Sequence, residues 1–212
     1  MNGHIGLLSP VNEAAMTMLT RLGDITGITQ GMSMSGRGAG AREGDWCVRA
    51  VSVGDIQDDC LLVEHAEQIQ IERNLKTEKH LLRPGDLLVT ARSSLFKAAL
   101  VPPVIERTVA DASLNVIRAG DPSLTHYLWW YMTSPPVRQA MQALMSGATV
   151  LSLPARILAE QEIPLPPLRD LDRLADLVEA SERAYAAAIE AAQLRRSLFR
   201  NAQIGRLIQA AQ

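Results

Sequence analysis

Cysteine is nearly absent. Cys47 and Cys60 are the only two in 212 residues, too few for a disulfide framework and not spaced as a C-x-x-C pair. A reduced cytoplasm is therefore the expected compartment. Lysine is scarce beside arginine, 3 against 18. Arg is the better residue for bidentate bonds to phosphate or guanine, although a GC-rich genome produces the same bias. Every long apolar stretch is broken by charge or proline, so no membrane span is expected. Residues 1–10 lack the charged n-region and apolar core of a signal peptide. No charge sign dominates either: Lys+Arg 21 against Asp+Glu 23 leaves −2. A chain that held nucleic acid by bulk electrostatics alone would be basic. Any DNA or RNA contact must then be local or shared with a partner. With 47% apolar and 21% charged residues, the chain is globular, which excludes disordered and collagen-like classes.

The usual signatures of chemistry are missing as well. His4, His65, His80 and His126 are scattered without metal-site spacing. There is no G-x-S-x-G nucleophile elbow, and no pair of carboxylates in a context that suggests acid–base work. The Gly-rich stretch 31–44 matches neither G-x-G-x-x-G nor the P-loop. Its cations, Arg37 and Arg42, could reach a phosphate or base edge from a loop, or simply be solvated. Ser134-Pro135-Pro136-Val137 falls short of the [DNS]-P-P-[YFW] element with which amino-methyltransferases grip an extruded base, because Val137 stands where the stacking aromatic belongs. A helix break is the simpler account. Tyr127, Trp129, Trp130 and Tyr131 could form a base-stacking platform, but at helical spacing they read first as core.

Three zones organise the chain. Residues 1–20 carry a short helical pattern (Val11, Ala14, Ala15, Met18, Leu19) after Ser9-Pro10. Residues 21–168 mix strand-like runs with turns, the runs falling at 46–53, 86–91, 98–101 and 114–117. Arg83-Pro84-Gly85-Asp86 has Pro and Gly at the central positions of a type II turn. A helical pattern covers 122–146, broken at Ser134-Pro135-Pro136. Ile163-Pro164-Leu165-Pro166-Pro167-Leu168 must be extended, since each proline restricts the residue before it. The third zone, 169–212, opens with a Pro- and Gly-free run to about residue 202. There Leu171, Val178, Tyr185, Ala192 and Phe199 recur every seven residues, with Leu174, Ser181 and Ala188 between them and Leu177, Ala184, Ala191 and Leu198 widening the stripe. A strict heptad pattern predicts a helix lying against another long helix. At ~1.5 Å per residue it is roughly 50 Å long, more than its own domain can cover, so a second copy is expected along this face. The other possibility is a terminal helix folded back on its own domain. The residues thus describe an α/β (α+β) domain with a mixed sheet, a long coiled-coil-type C-terminal helix and no visible active site. That profile fits a binding module better than an enzyme.

Several segments, in order, resemble the specificity subunit of type I restriction–modification systems. They are Leu22-Gly23-Asp24-Ile25 with Gly31; Val51-Ser52-Val53-Gly54-Asp55-Ile56; Leu82-Arg83-Pro84-Gly85-Asp86-Leu87-Leu88-Val89-Thr90; Ala112-Ser113 with Asn115; Tyr127-Leu128; Ser134-Pro135; Gly147-Ala148-Thr149; and Leu158 with the proline-rich stretch before the long helix. Two positions depart from the family pattern: Arg169-Asp170-Leu171 replaces an acidic-Gln pair, and Ala91-Arg92-Ser93-Ser94 stands where a Gly is common.

The resemblance implies one target-recognition domain (21–168) and one spacer helix (169–212), half of the usual two of each. A homodimer through Leu171, Leu174, Val178, Tyr185, Ala188, Ala192 and Phe199 would restore the whole and present two reading surfaces to a bipartite inverted repeat in double-stranded DNA. The family implies no catalysis and no cofactor on this chain. N6-adenine DNA methyltransferase subunits would bring S-adenosylmethionine, and a restriction nuclease–translocase subunit, where present, would bring ATP and Mg. Base and phosphate contacts are expected from Arg37, Arg42, Arg92, Ser93, Ser94, Lys97, Thr149 and Arg156. The other function open to such a chain is a regulatory or decoy half-subunit that occupies a methyltransferase or a full-length specificity subunit without directing modification.

Overall fold

The computed structural model describes residues 18–34, 45–147 and 151–210. Along the chain run β1 (Met18–Arg21), α1 (Leu22–Ile25), β2 (Gly27–Gln30), β3 (Trp46–Val51), β4 (Ile56–Gln57), β5 (Cys60–Leu61), β6 (Glu67–Ile71), α2 (Leu75–Lys79) and β7 (Leu87–Thr90). Then follow β8 (Ala98–Leu100), β9 (Thr108–Ala110), β10 (Leu114–Arg118), α3 (Pro122–Thr133), α4 (Pro135–Leu144), α5 (Ala155–Ala159), β11 (Glu162–Leu165) and α6 (Leu168–Ala210).

The run Leu87-Leu88-Val89-Thr90 has no polar face, and it lies near the centre of a six-stranded mixed sheet ordered β2-β10-β7-β8-β5-β4. Alternation along the strands divides the apolar residues between two cores. Leu87, Val89, Ala98 and Ile117 pack on one side with Leu124, Leu128 and Met132 of α3. Leu88, Ala99, Leu114 and Val116 pack on the other side with Val51, Leu82 and Ala110. A three-stranded sheet, β6-β3-β9, has its own smaller core of Val48, Ala50, Ile69 and Val109. Burial on both faces explains why β7 reads as a continuous apolar run rather than an alternating one.

The turn before β7 forms as its residues require. Gly85 has φ +80°, the Asp86 N–H donates to the Arg83 carbonyl at 3.0 Å, and the conformation is type II. The buried Asp86 carboxylate then accepts from the Arg83 N–H at 2.8 Å and from Arg118 Nε at 2.7 Å, tying the turn to the end of β10. That hydrogen bonding raises the Arg118 pKa, against the lowering effect of burial. Ser134 separates α3 from α4. The prolines that follow occupy the first turn of α4, where a missing N–H costs nothing.

Two expectations are corrected. Met18, Leu19 and Thr20 do not continue a helix; they form β1, antiparallel to β11, with Thr20 opposite Ile163 and Met18 opposite Leu165. The proline-rich stretch is held extended and presents backbone groups that need partners, and β1 supplies them. The remaining residues of the expected N-terminal helix lie outside the described residues. The Tyr127 hydroxyl donates to the Pro164 carbonyl and joins α3 to β11. Burial, followed by the nearby Tyr131, pushes Tyr127 up to about 12.

The second correction concerns the heptad stripe. Leu171 and Val178 are buried in the chain's own core, and Leu174 packs against the same cluster. Ser123 Oγ also donates to Asp172 at 2.6 Å, so the first turns of α6 are docked along α3. These three residues are therefore not free to meet a second chain. Beyond Val178 the described side chains of α6 are all exposed, including Tyr185, Leu194, Leu198 and Phe199. The helix has 43 residues, or about 65 Å at ~1.5 Å each, and most of it projects past the domain.

Candidate nucleic-acid interface

Strand order brings four connecting segments to one end of the central sheet. Gln30 pairs with Asn115, Thr90 with Leu114, and Ala98 with Val89. The ends of β2 and β7 and the starts of β8 and β10 are consequently level. The residues that leave or enter them are Gly31 onward, 91–97 and 111–113. There is no space for a side chain at position 31, because a Cβ there would lie 2.0 Å from the Asp111 carbonyl oxygen. That close approach lets the Gly31 N–H reach the Leu114 carbonyl at 2.9 Å.

A fourth segment joins this end by extending the sheet. The Leu153 N–H donates to the Ala91 carbonyl at 2.8 Å and the Ser93 N–H to Leu151 at 3.1 Å, which places Arg92 opposite Ser152. Ser146 and Ser152 exchange both backbone hydrogen bonds, at 3.1 and 2.8 Å. From β10, the fully buried Asn115 donates through Nδ2 to the Leu153 carbonyl at 2.8 Å. Its Oδ1 is buried without a hydrogen-bond partner among the described residues. Behind the ladder, Ser113 accepts at Oγ from the Val53 N–H at 2.9 Å and donates to Asp111, while its carbonyl accepts from Ala91 and Arg92 N–H at 2.7 and 3.0 Å.

The 91–97 loop is fixed rather than loose. Thr90 Oγ1 accepts from the Lys97 N–H at 2.8 Å, and Gln142 of α4 brackets the tip, accepting from the Phe96 N–H at 2.5 Å and donating to the Ser94 carbonyl at 3.0 Å. Behind this loop lies a cleft of about 850 Å³, walled by Leu95, Phe96 and Lys97 on one side and Pro135, Arg138 and Gln142 on the other. Arg138 closes one end through an ion pair to Asp59, 2.6 Å. The tip of the β4–β5 hairpin, Asp58 and Asp59, has φ of 48° and 62°, as a two-residue type I′ connection requires.

The expected contact residues divide accordingly. Arg92 and Ser94 are exposed at the sheet end, and Ser93 is half-buried between them. Among the described residues the Arg92 guanidinium has no hydrogen-bond or ion-pair partner. Arg156 is exposed on α5, three residues past Leu153, with Glu160 at 3.8 Å. Lys97 departs from the expectation of a free point charge: its ammonium donates to the Ile56 carbonyl at 2.7 Å and to Val53 at 3.3 Å. It braces the turn before β4. Arg37, Arg42 and Thr149 lie outside the described residues. Asn115, Ser146, Ser152 and Gln142 were not singled out from the sequence as contact residues. For Ser146, Ser152 and Gln142 no local signal marks them, because only strand pairing places them here.

Among the described residues no cluster of three or more His, Cys, Asp or Glu could hold a metal ion. Burial first, then Asp59, Glu182 and Asp58, raise the Cys60 thiol pKa, which disfavours the reactive thiolate. Trp129 is part of the packing and donates to the Asp59 carbonyl at 3.3 Å, whereas Trp130 is exposed. No described helix is long and apolar enough to cross a membrane.

A mixed sheet with helices on one face, a smaller sheet on the other, loops gathered at one end and a long C-terminal helix is the fold of the type I restriction–modification specificity subunit. The HsdS subunit from Thermoanaerobacter tengcongensis superimposes with a TM-score of 0.55 at 18% identity, covering 87% of this chain and 42% of its own. A chain from a structure of a type I R-M system gives 0.57 at 17%, covering 87% and 43%. The S subunit from M. genitalium gives 0.54 at 14%, covering 82% and 41%. The chain thus spans about two fifths of the length of the structures it matches. No protein-family model and no curated protein matches the sequence.

Proposed function

We propose that this chain is a DNA-recognition subunit of a type I restriction–modification complex and reads double-stranded DNA with the end of its central sheet. The observation that carries the reading is the convergence there of four segments, two of which expose polar or cationic side chains, Arg92 and Ser94 from one and Ser146 from the other, on a rigid backbone ladder. Arg92 offers a guanidinium without a hydrogen-bond or ion-pair partner among the described residues, beside the exposed hydroxyls of Ser94 and Ser146, donors and acceptors suited to base edges. The near-neutral net charge fits a subunit whose partners share the work of holding DNA. The chain itself carries out no catalysis in this reading. N6-adenine methyltransferase subunits bind S-adenosylmethionine and perform the transfer, in the cytoplasm.

The exposed apolar stripe on the distal part of α6 supports a homodimer through Tyr185, Ala188, Ala192 and Phe199. Two-fold symmetry then gives a bipartite inverted-repeat target. The test is co-expression with an N6-adenine DNA methyltransferase, followed by sequencing of modified adenines in the host genome. Modification confined to an inverted repeat with a fixed spacer is the expected result. A stable complex that modifies nothing would favour the decoy role instead, and no association with a methyltransferase would overturn the proposal.

A further inference from the structure

Away from the sheet end, one group of cations is held in a defined arrangement. Two guanidiniums lie over the ring of Trp46, the first residue of β3, with Arg73 Cζ 5.5 Å and Arg107 Cζ 5.1 Å from its centroid. The arginines adjoin the two strands that flank β3. Arg73 lies two residues beyond Ile71, the partner of Trp46 on β6, and Arg107 immediately precedes β9 on the other side. Register across three strands therefore delivers both side chains to one ring.

Both arginines are exposed, and among the described residues neither side chain has an ion pair or hydrogen bond. Arg118 and Arg138, by contrast, are engaged by Asp86 and Asp59. A guanidinium stacked on an aromatic keeps its edge donors free and loses much of its rotamer freedom beforehand. Such an edge suits bidentate capture of a phosphate. Arg49, three residues along β3, faces an adjoining groove of about 210 Å³ with Gln68, Glu106 and Arg107. The carboxylate in that groove, Glu106, lies 3.5 Å from Arg49. The other carboxylates nearest in the chain are Asp45 and Glu72.

The position suits a duplex. The Val51 carbonyl at the far end of β3 accepts from the Asp111 N–H at the reading end, 2.8 Å. Five residues of strand at ~3.3 Å each put Trp46 about 17 Å from it, on the scale of a major groove ~12 Å wide with its bordering backbone. Resting on the reading of the chain as a DNA-binding protein, we infer that Arg73 and Arg107, stacked on Trp46, form a clamp for the DNA sugar–phosphate backbone beside the reading surface.

The test is the salt dependence of binding of the full chain to a labelled random-sequence duplex. The R73A/R107A double variant removes exposed side chains only, and an unchanged circular dichroism spectrum checks its fold. The slope of log K against log salt should flatten by about one unit for each arginine, without a change in base preference. R73K/R107K should restore the slope, because it returns the charges, but not the wild-type affinity, because it lacks the fork. A double variant with the wild-type slope, or a lysine variant with wild-type affinity, overturns the clamp and leaves the sheet end as the reading surface. A wild-type chain with no salt-dependent duplex binding overturns the clamp together with the DNA-binding reading.

Discussion

Arg92 and Ser152 face each other across an antiparallel bridge that continues the central sheet beyond β7. The bridge fixes the Arg92 backbone through Ser113, Leu151 and Ala91 neighbours while its guanidinium stays exposed. A side chain on a rigid strand end can discriminate a base edge, whereas one on a loose loop loses entropy in doing so. In the assembled complex, Arg92→Ala should relax preference at one position of the target, at a cost of ~1–3 kcal/mol for that base. A randomised target library read by methylation measures this directly. An unaltered sequence logo would remove Arg92 from the reading surface.

Lys97→Met should behave otherwise. Its ammonium serves two backbone carbonyls, so the expected loss is ~1 kcal/mol of stability with no change in the salt slope of DNA binding. Urea denaturation and a salt series on the same variant separate the two effects. A slope flattened by about one unit would restore Lys97 to the phosphate-contacting set.

The two halves of the heptad stripe should respond differently to charge. Tyr185→Glu with Phe199→Glu places carboxylates on the exposed distal stripe, and light scattering should then find monomers that remain folded. Val178→Glu buries a charge in the chain's own core and should unfold the domain, at a cost of several kcal/mol. A wild-type protein that is monomeric at micromolar concentration would dispose of the homodimer.

Asp86 is the most deeply buried charged group of the described residues, and Arg118 is its ion-pair partner. Asp86→Ala leaves Arg118 and the Arg83 N–H without their acceptor, and breaking such a pair costs about 3 kcal/mol or more. A lowered denaturation midpoint with unchanged m-value is expected. An unchanged midpoint would mean that the turn before β7 holds without its carboxylate.

Local features were legible in the residues themselves. Pro84-Gly85 set a type II turn because their φ preferences are intrinsic, the run 86–91 declared a strand, and Pro135-Pro136 divided two helices. The heptad spacing likewise marked α6 as a long helix with an apolar stripe. What the chain alone did not disclose depended on partners distant in sequence. The two-residue strands β4 and β5 carry too few residues for a period to register, and in β6 the polar Glu67, Gln68 and Gln70 leave no apolar run; their pairing comes from backbone groups that every residue shares. The same reason hid the ladder of Ala91, Ser152 and Ser146, which no side-chain pattern specifies. Stripe residues Leu171 and Val178 look like Tyr185 and Phe199 in the heptad. Only the docking of α3 made the first pair core and left the second exposed. Lys97 was recognisable as a cation, but its two carbonyl acceptors became neighbours only when the turn before β4 folded beside it. Periodicity and φ restriction act within a few residues and are written in the sequence, whereas strand order, burial and the pairing of a charge arise from contacts between segments that meet only in the folded chain.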